Sequence, residues 1–331
     1  MTDLSNGRIL VTGGAGFIGS ALIWELNRRG LHNIVVADFL GEDDKWKNLV
    51  PLQFVDYIEA DDLLHRIETS PHLFSDVRTV FHLGACSNTT ETNAAYLIRN
   101  NFEYTKTLAH FALEDARRFV YASSAATYGG LEAALPESVA LESLRPLNMY
   151  AYSKHLFDCY AQNTGILPCI TGVKYFNVFG PNEDHKGEMR SVVHKAFHQV
   201  QESGCISLFR SYRPEFSDGG QRRDFMYVKD AVAATVFLAE RVNGDGLYNI
   251  GSGEATTWLA LANAIFSALG REPHIEFINM PETLRDKYQY YTCANIDKLR
   301  HAGFTAPITP LADAIGDYVR NYLVPGRKLG D

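Results

Sequence analysis

Cysteine is scarce in this chain, and what there is does not cluster. The five residues (Cys86, Cys159, Cys169, Cys205 and Cys293) are odd in number and widely spaced. No CxxC pair occurs, so their spacing excludes a disulfide framework and a zinc knuckle and suits a reducing compartment. No apolar run approaches the ~20 residues that span a bilayer. The opening stretch, MTDLSNGRILVTGG, lacks a basic segment followed by an apolar one, so no leader peptide is expected. Positive charge is in deficit: the net charge is -8, and a nucleic acid would find no global attraction. Internal repeats and low-complexity tracts are absent. The expectation is a cytoplasmic protein with neither a membrane nor a nucleic acid as partner, and no metal site is indicated.

What is present is ordinary for a soluble globular protein, with 46% hydrophobic and 21% charged residues. A chain of 331 residues can bury roughly three quarters of its unfolded surface, enough for one large domain or up to two.

The first element sets the frame. Arg8 to Thr12 is a short apolar run of strand length, followed at once by Gly13-Gly14-Ala15-Gly16-Phe17-Ile18-Gly19 and a helical pattern that stops at Gly30. Strand, glycine turn and helix together make a dinucleotide site. Gly13 permits the tight turn, Gly16 lets the backbone approach a pyrophosphate, and Gly19 lets helix and strand pack closely. A second strand, Asn33 to Asp38, ends in a carboxylate 19 residues beyond Gly19, where it can bind the cofactor ribose. Asp38 alone favours NAD by repelling a 2′-phosphate; Lys45 and Lys47 can offset that repulsion, and the choice stays open. Leu52 to Val55 reads as the third strand and Val77 to Ala85 as the fourth. A helix follows from Asn93 to Ala116, and Arg118 to Ser124 is the fifth strand. Ile170 to Val178 reads as the sixth.

Six alternations of strand and helix predict an α/β protein: a Rossmann-type, doubly wound parallel sheet with a smaller C-terminal α/β substrate-binding domain. The expected division is 1–177 plus about 225–255 for the cofactor domain, and 178–224 plus 256–331 for the substrate domain. Further strands are expected at Asp224 to Tyr227 and Leu247 to Ile250. Helices are expected at Asp230 to Arg241, Thr257 to Leu269 and Pro310 to Tyr322.

One helix, beginning near Asn148, carries Tyr150 and Lys154. Residues four apart share a helix face. A cation beside a phenol favours the phenolate and lowers its pKa, which would make the pair an acid/base for an alcohol. Ser124, at the carboxyl end of the fifth strand, is placed to hold such an alcohol. A surface Tyr/Lys pair of no consequence is the competing reading. After Pro181 the texture changes. Between Lys186 and Lys229 eight cations face five carboxylates, which points to an anionic ligand in this segment. Ser211 to Gln221 reads as an exposed loop.

TGGAGFIG near the start, SSAATYGG after the fifth strand and Tyr150-xxx-Lys154 together resemble the extended short-chain dehydrogenase/reductase group that acts on nucleotide sugars. Within it, HLGACSNTTE (82–91), YASSAATYGG (121–130), FNVFGPNEDHKGEM (176–189), RRDFMYVKD (222–230) and DKYQYY (286–291) look like the ADP-L-glycero-D-manno-heptose 6-epimerase family. That resemblance implies an isomerase that inverts C6 of ADP-D-glycero-D-manno-heptose through a 6-keto intermediate, with tightly bound NADP (NAD remaining open), for lipopolysaccharide inner-core precursors. It implies Tyr150 and Lys186 as the two acid/base residues, with Ser124 assisting and Lys154 on the nicotinamide ribose. Implied cofactor contacts are Phe17, Ile18, Asp38, Phe39, Lys45, Gly84, Ala85, Cys86, Ser87, Asn100, Val178 and Lys186, beside the glycines. Implied substrate contacts are Asn177, Glu188, Lys195, Phe209, Arg210, Ser211, Tyr212, Arg223 and Tyr288. A homo-oligomer, pentameric by the same resemblance, is expected.

The chain departs from the family pattern at Arg210-Ser211-Tyr212 with the long loop after them, and at three single positions, of which the first two weaken the NADP preference. Ala60 stands where a cofactor lysine can occur, Phe39 replaces a more polar residue, and Glu188 sits where a small hydroxyl can contact substrate. Rivals are a UDP-hexose 4-epimerase, a 4,6-dehydratase (disfavoured because no carboxylate follows Ser124) and a catalytically silent NAD(P)-sensing protein. For Lys186, binding of a phosphate is the alternative to proton transfer.

Overall fold

The computed structural model describes residues 3–241, 244–285 and 288–331; Asp286 and Lys287 of the DKYQYY motif and the first two residues of the opening stretch lie outside the described residues. The strands in chain order are β1 Arg8–Thr12, β2 Ile34–Asp38, β3 Asp56–Glu59, β4 Val77–His82, β5 Arg118–Ser124, β6 Ala134–Leu135, β7 Thr171–Tyr175, β8 Asn177–Phe179, β9 Ile206–Phe209, β10 Arg222–Tyr227, β11 Gly246–Ile250, β12 Ala255–Thr257, β13 Ile275–Ile278 and β14 Cys293–Ala294. The helices are α1 Phe17–Arg28, α2 Ala60–Thr69, α3 Ala94–Leu97, α4 Tyr104–Glu114, α5 Met149–Asn163, α6 Val192–Ser203, α7 Val228–Ala239, α8 Trp258–Leu269, α9 Glu282–Arg285, α10 Asp297–His301 and α11 Leu311–Tyr318. Among the described residues no helix is long and apolar enough to cross a membrane.

Seven strands form one parallel sheet in the order β11-β7-β5-β4-β1-β2-β3. The order reverses between β1 and β4, the switch point where ligands bind in such sheets. Successive residues of a strand face opposite sides, and the core divides accordingly. Ile9, Val11, Ile34 and Val36 join the core with α1 and α7; Leu10, Val35 and Ala37 join the one with α2, α4 and α5. The sheet is thus covered on both faces, and its strands read as continuous apolar runs for that reason. The remaining strands form small sheets: β12-β10-β8, β13-β9 and β14-β6.

The sequence reading places β1, β5 and α5 as observed. Asn148 caps α5, its side chain accepting from the Ala151 N–H at 2.8 Å. Three elements differ. The third strand is not Leu52 to Val55 but β3. Leu52 closes a turn onto Leu49, and the Asn27 side chain takes both backbone groups of Gln53, so the chain is not free to pair with β2 until Val55–Asp56. The sixth strand breaks at Phe176, and its second half, β8, leaves the main sheet to pair with β10. The long helix between β4 and β5 is interrupted by a π segment, Ile98–Glu103.

Candidate active site

The residues that the sequence singled out at the carboxyl edge of β1, β2, β4 and β5 lie on strand ends, on turns, or in the helical segments that follow them. Gly13 has φ +69°, and a Cβ there would stand 2.5 Å from the Gly84 nitrogen. A Cβ on Gly19 would meet the Gly13 carbonyl oxygen at 2.0 Å, so helix and strand close only around glycine. The turn leaves Gly16 at the N-terminus of α1, where unsatisfied amides favour a phosphate. Asp38, 8% exposed, accepts from the Ala15 and Gly16 N–H groups on Oδ2, and from the Phe39 N–H and Lys45 Nζ on Oδ1. A cleft of about 150 Å³ is lined by Gly13, Asp38, Phe39, Lys45, Gly84, Ala85, Cys86 and Asn100 together with Ala60, Tyr96 and Tyr104. Its glycine floor, where side chains would collide, and the paired carboxylate at its end fit a dinucleotide. Ser87 is exposed at the rim, Phe17 is buried and Ile18 part-buried at the start of α1.

On β5, Ser124 is nearly buried and ends the strand. Tyr150 reaches it from the first turn of α5. Burial raises the Tyr150 hydroxyl above the ordinary tyrosine range, and the neighbouring Ser124 side chain takes back part of that rise. Lys154 is 4% exposed and donates to the Ala122 carbonyl at 2.9 Å. Burial brings its ammonium down to about 8, against the pull of Asp158. This corrects the expected lowering of the phenol: Lys154 gives one N–H to the β5 backbone, and burial moves the Tyr150 hydroxyl up rather than down. A depressed phenol is a property of an exposed helical pair; this pair is packed against a strand, and burial disfavours its charged forms.

Lys186 sits on the loop between β8 and α6. Its Nζ lies 5.3 Å from the centre of the Phe17 ring, over the start of α1, and burial lowers its pKa while Glu183 opposes the shift. No hydrogen bond or ion pair of this ammonium is formed among the described residues, which leaves it available to a ligand. The loop is fastened at both ends. Asn48, 1% exposed, donates to the Ala15 carbonyl at 3.0 Å and the Asn182 carbonyl at 3.1 Å, tying loop to glycine turn. Asn182 donates to Ser20 Oγ at 3.0 Å, and buried Glu183 accepts from the Ser191 hydroxyl at 2.7 Å. On the other side Met189 Sδ accepts from Thr89 beyond β4 at 3.9 Å. The loop therefore runs across the sheet edge from the end of β1 to the exit of β4. Tyr150, on α5, lies beside Ser124 at the end of β5, two strands from β1, a lateral separation of roughly 10 Å at ordinary strand spacing.

The substrate residues are brought together less completely. Arg223 lies 5.2 Å from the centre of the Tyr288 ring, and Phe209 meets the edge of that ring at 6.2 Å. Asn177 is exposed on β8 and donates to the Asp224 carbonyl at 2.9 Å; Val178 beside it is part-buried. Tyr212 is covered by the Arg285 guanidinium at 4.1 Å. Glu188 and Lys195 pair with each other at 3.3 Å. Arg210 pairs with Asp218, whose other oxygen accepts from the Ser211 N–H. The positive excess of the segment is met by carboxylates from elsewhere in the chain: Arg213 by Glu132 at 2.6 Å and Lys229 by Asp317 at 2.7 Å. Lys186, Arg190, Arg222 and Arg223 form no ion pair among the described residues, and the expected anionic site narrows to these four.

Sequence reasoning missed the residues that hold this edge in place. Asn101, fully buried in the π segment, accepts from the Cys86 N–H at 2.8 Å and donates to Ser153 Oγ at 2.9 Å, joining the β4 exit to α5. π segments are frequent at functional sites, but nothing in the local sequence marks this one. Asn48 gives no signal either, since its partners are 33 and 134 residues away. Elsewhere, the ligating atoms of Cys205, His274 and Glu276 lie within 4.8 Å of one another on the β9–β13 pair, a proximity that cysteine spacing did not reveal.

A profile of the NAD dependent epimerase/dehydratase family matches residues 9–251. The chain belongs to this family. Its members include ADP-L-glycero-D-manno-heptose-6-epimerase of Nitratidesulfovibrio vulgaris strain DP4, 49% identical over 315 residues that cover 95% of this chain and 97% of that one. The enzyme of the same name from Fusobacterium nucleatum is 43% identical, covering 95% and 98%. Among solved structures, the Helicobacter pylori ADP-L-glycero-D-manno-heptose-6-epimerase superposes with a TM-score of 0.81 at 27% identity, over 97% of this chain and 98% of that one. A UDP-glucuronic acid 4-epimerase from Bacillus cereus in complex with NAD gives 0.73 at 25% identity, covering 95% and 99%. As a member of this family the chain takes a nicotinamide cofactor.

Proposed function

We propose that this family member inverts C6 of ADP-D-glycero-D-manno-heptose by transient oxidation to a 6-ketone. The observation that carries the reading is the pair of part-buried proton-handling groups at the carboxyl edge of the sheet, Tyr150 on α5 beside β5 and Lys186 on the loop over the start of α1; the likeness to the N. vulgaris and F. nucleatum relatives supports the sugar. Inversion at a carbinol carbon changes no oxidation state, yet a C–H bond must break on one face and re-form on the other. The nicotinamide, when bound, supplies hydride removal and return. The protein must move a proton each way and let the sidechain turn over between. The oxygen then lies at a different place from where it was deprotonated, so a single base serves one orientation only. Tyr150, with Ser124, serves one; Lys186 serves the other. Arg223 and Tyr288 hold the rest of the nucleotide sugar. Incubation with ADP-D-glycero-D-manno-heptose followed by NMR yields the C6 epimer, while UDP-galactose is unchanged. Conversion of UDP-galactose with the heptose untouched would replace this reading by a 4-epimerase.

The cofactor is NADP in this reading. Both Asp38 oxygens are engaged, and the Lys45 ammonium at 3.1 Å neutralises the carboxylate that would repel a 2′-phosphate. Lys45 has donors to spare for that phosphate, while the exposed Phe39 ring offers the adenine a flat face. Lys45→Met is expected to weaken NADP binding by roughly 10–100-fold, the worth of a hydrogen bond to a charged group, and NAD binding far less. Equal losses for the two cofactors in a fluorescence titration would show that Lys45 does not select between them.

A further inference from the structure

A pair of charges that proton transfer does not use lies behind the Tyr150–Lys154 face. Asp158 is 0% and Lys174 1% exposed, with Oδ2 and Nζ 3.8 Å apart. Such a pair costs much to desolvate, and apolar residues of like volume are often as stable in its place. Its surroundings show what it is built into. Asp158 accepts from the Tyr121 hydroxyl at 2.8 Å and from Ser123 Oγ at 2.7 Å, both on β5. Lys174, on β7, donates to Thr127 Oγ1 at 2.9 Å, and Thr127 donates to the Ser124 carbonyl at 2.8 Å. The Tyr128 ring covers the ammonium at 4.3 Å. Tyr150, Lys154 and Asp158 follow each other at intervals of four on α5, so Asp158 stands one turn behind Lys154 on the same face.

We propose that Asp158 and Lys174 are positioning residues of the active site: Asp158 holds Lys154 as a cation, Lys174 limits the field of that carboxylate, and Thr127 transmits the pair to Ser124. The proposal rests on the epimerase reading for its assay. The groups facing Lys154 are few. Tyr150 and Asp158 come from α5, and the Ala122 carbonyl from β5. His82 on β4 is buried between the Thr12 and Thr105 hydroxyls, and burial, with Lys154, keeps it neutral. Cys86 comes from the turn after β4. Asp158 is the one carboxylate among them. Burial pulls Lys154 down to about 8 and Asp158 pulls it up, so its charge is present below that pH and is lost as pH rises through it.

The test is the alkaline limb of the pH–rate profile for epimerisation. In Asp158→Asn the limb moves to lower pH, because the cation has lost its support. In Lys174→Met it moves to higher pH, because the carboxylate acts on Lys154 alone; shifts of about one unit are the size expected for a nearby charge. A purely structural pair would lower the rate at all pH values without moving the limb, and unmoved limbs or shifts in the same direction overturn the proposal. Where a charge variant does not fold, Tyr121→Phe removes only one donor from Asp158. Its limb moves in the direction of Lys174→Met, and an unmoved limb again overturns the proposal. Absence of epimerisation in the wild type would refute the epimerase reading instead; the limb is then read from the pH dependence of NADP affinity.

Discussion

Tyr150→Phe lowers epimerisation by about 10²–10⁴-fold, the contribution of a positioned acid/base group, with fold and cofactor content unchanged. The substitution removes one hydroxyl from the first turn of α5. The Asn148 cap, the buried Ala151 and Ser153 and the Lys154 contact to β5 do not depend on it. What is lost is the hydroxyl beside Ser124 and the proton it can pass on. Burial keeps that proton on the phenol at rest, which suits Tyr150 to giving a proton to the alkoxide that forms when hydride returns to the ketone; as the phenolate left by that step it can take one from an alcohol. NMR of the product mixture, circular dichroism and the absorbance of copurified nicotinamide decide the matter. A Tyr150→Phe enzyme retaining more than a tenth of the wild-type rate would remove Tyr150 from the chemistry.

Lys186→Met produces a loss of the same order, about 10²–10⁴-fold, from the far side of the cleft. The apolar stem of methionine keeps the packing on Phe17, and the loop is held by Asn48, Asn182 and Glu183 rather than by the ammonium. Burial lowers the Lys186 pKa, so its neutral, proton-accepting form is reached at lower pH than for a lysine in water. Activity that needs that form is present above the Lys186 pKa and is lost as pH falls through it, giving the acid limb of the profile. Lys186→Arg separates the two readings of this residue. A lysine that only binds phosphate is replaced with modest loss, whereas a base is not, because guanidinium keeps its proton. Recovery of near wild-type turnover in Lys186→Arg would make Lys186 a phosphate ligand.

The cofactor half of the site was legible because its causes are local. Gly13, Gly16 and Gly19 are dictated by contacts within a few residues, or by a strand end whose pattern is plain. The strand ends at Asp38 and Ser124 follow from apolar runs of the right length. The substrate side was legible only as a list. Glu188 with Lys195 and Arg210 with Asp218 are near neighbours whose pairing could have been suspected. Arg213 with Glu132 and Lys229 with Asp317 are separated by most of a domain, and no count of charges within the segment could show that these cations are already met. The strand expected at Leu52 to Val55 failed for a related reason: one distant side chain, Asn27, occupied the backbone groups of Gln53.

By itself the sequence determined the doubly wound sheet, the glycine-floored cleft and the presence of Tyr150, Lys154 and Lys186 in one chain, since strand length, glycine requirement and helical spacing act over a few residues. Only the tertiary structure decided what these groups are. It joined Lys154 to the β5 backbone, placed a buried Asp158–Lys174 pair behind it, and carried Lys186 across the sheet edge on a loop tied down by Asn48. The physical reason is that a charge is set by burial and by the partners nearest in space, and those partners come from strands and loops far apart in the chain.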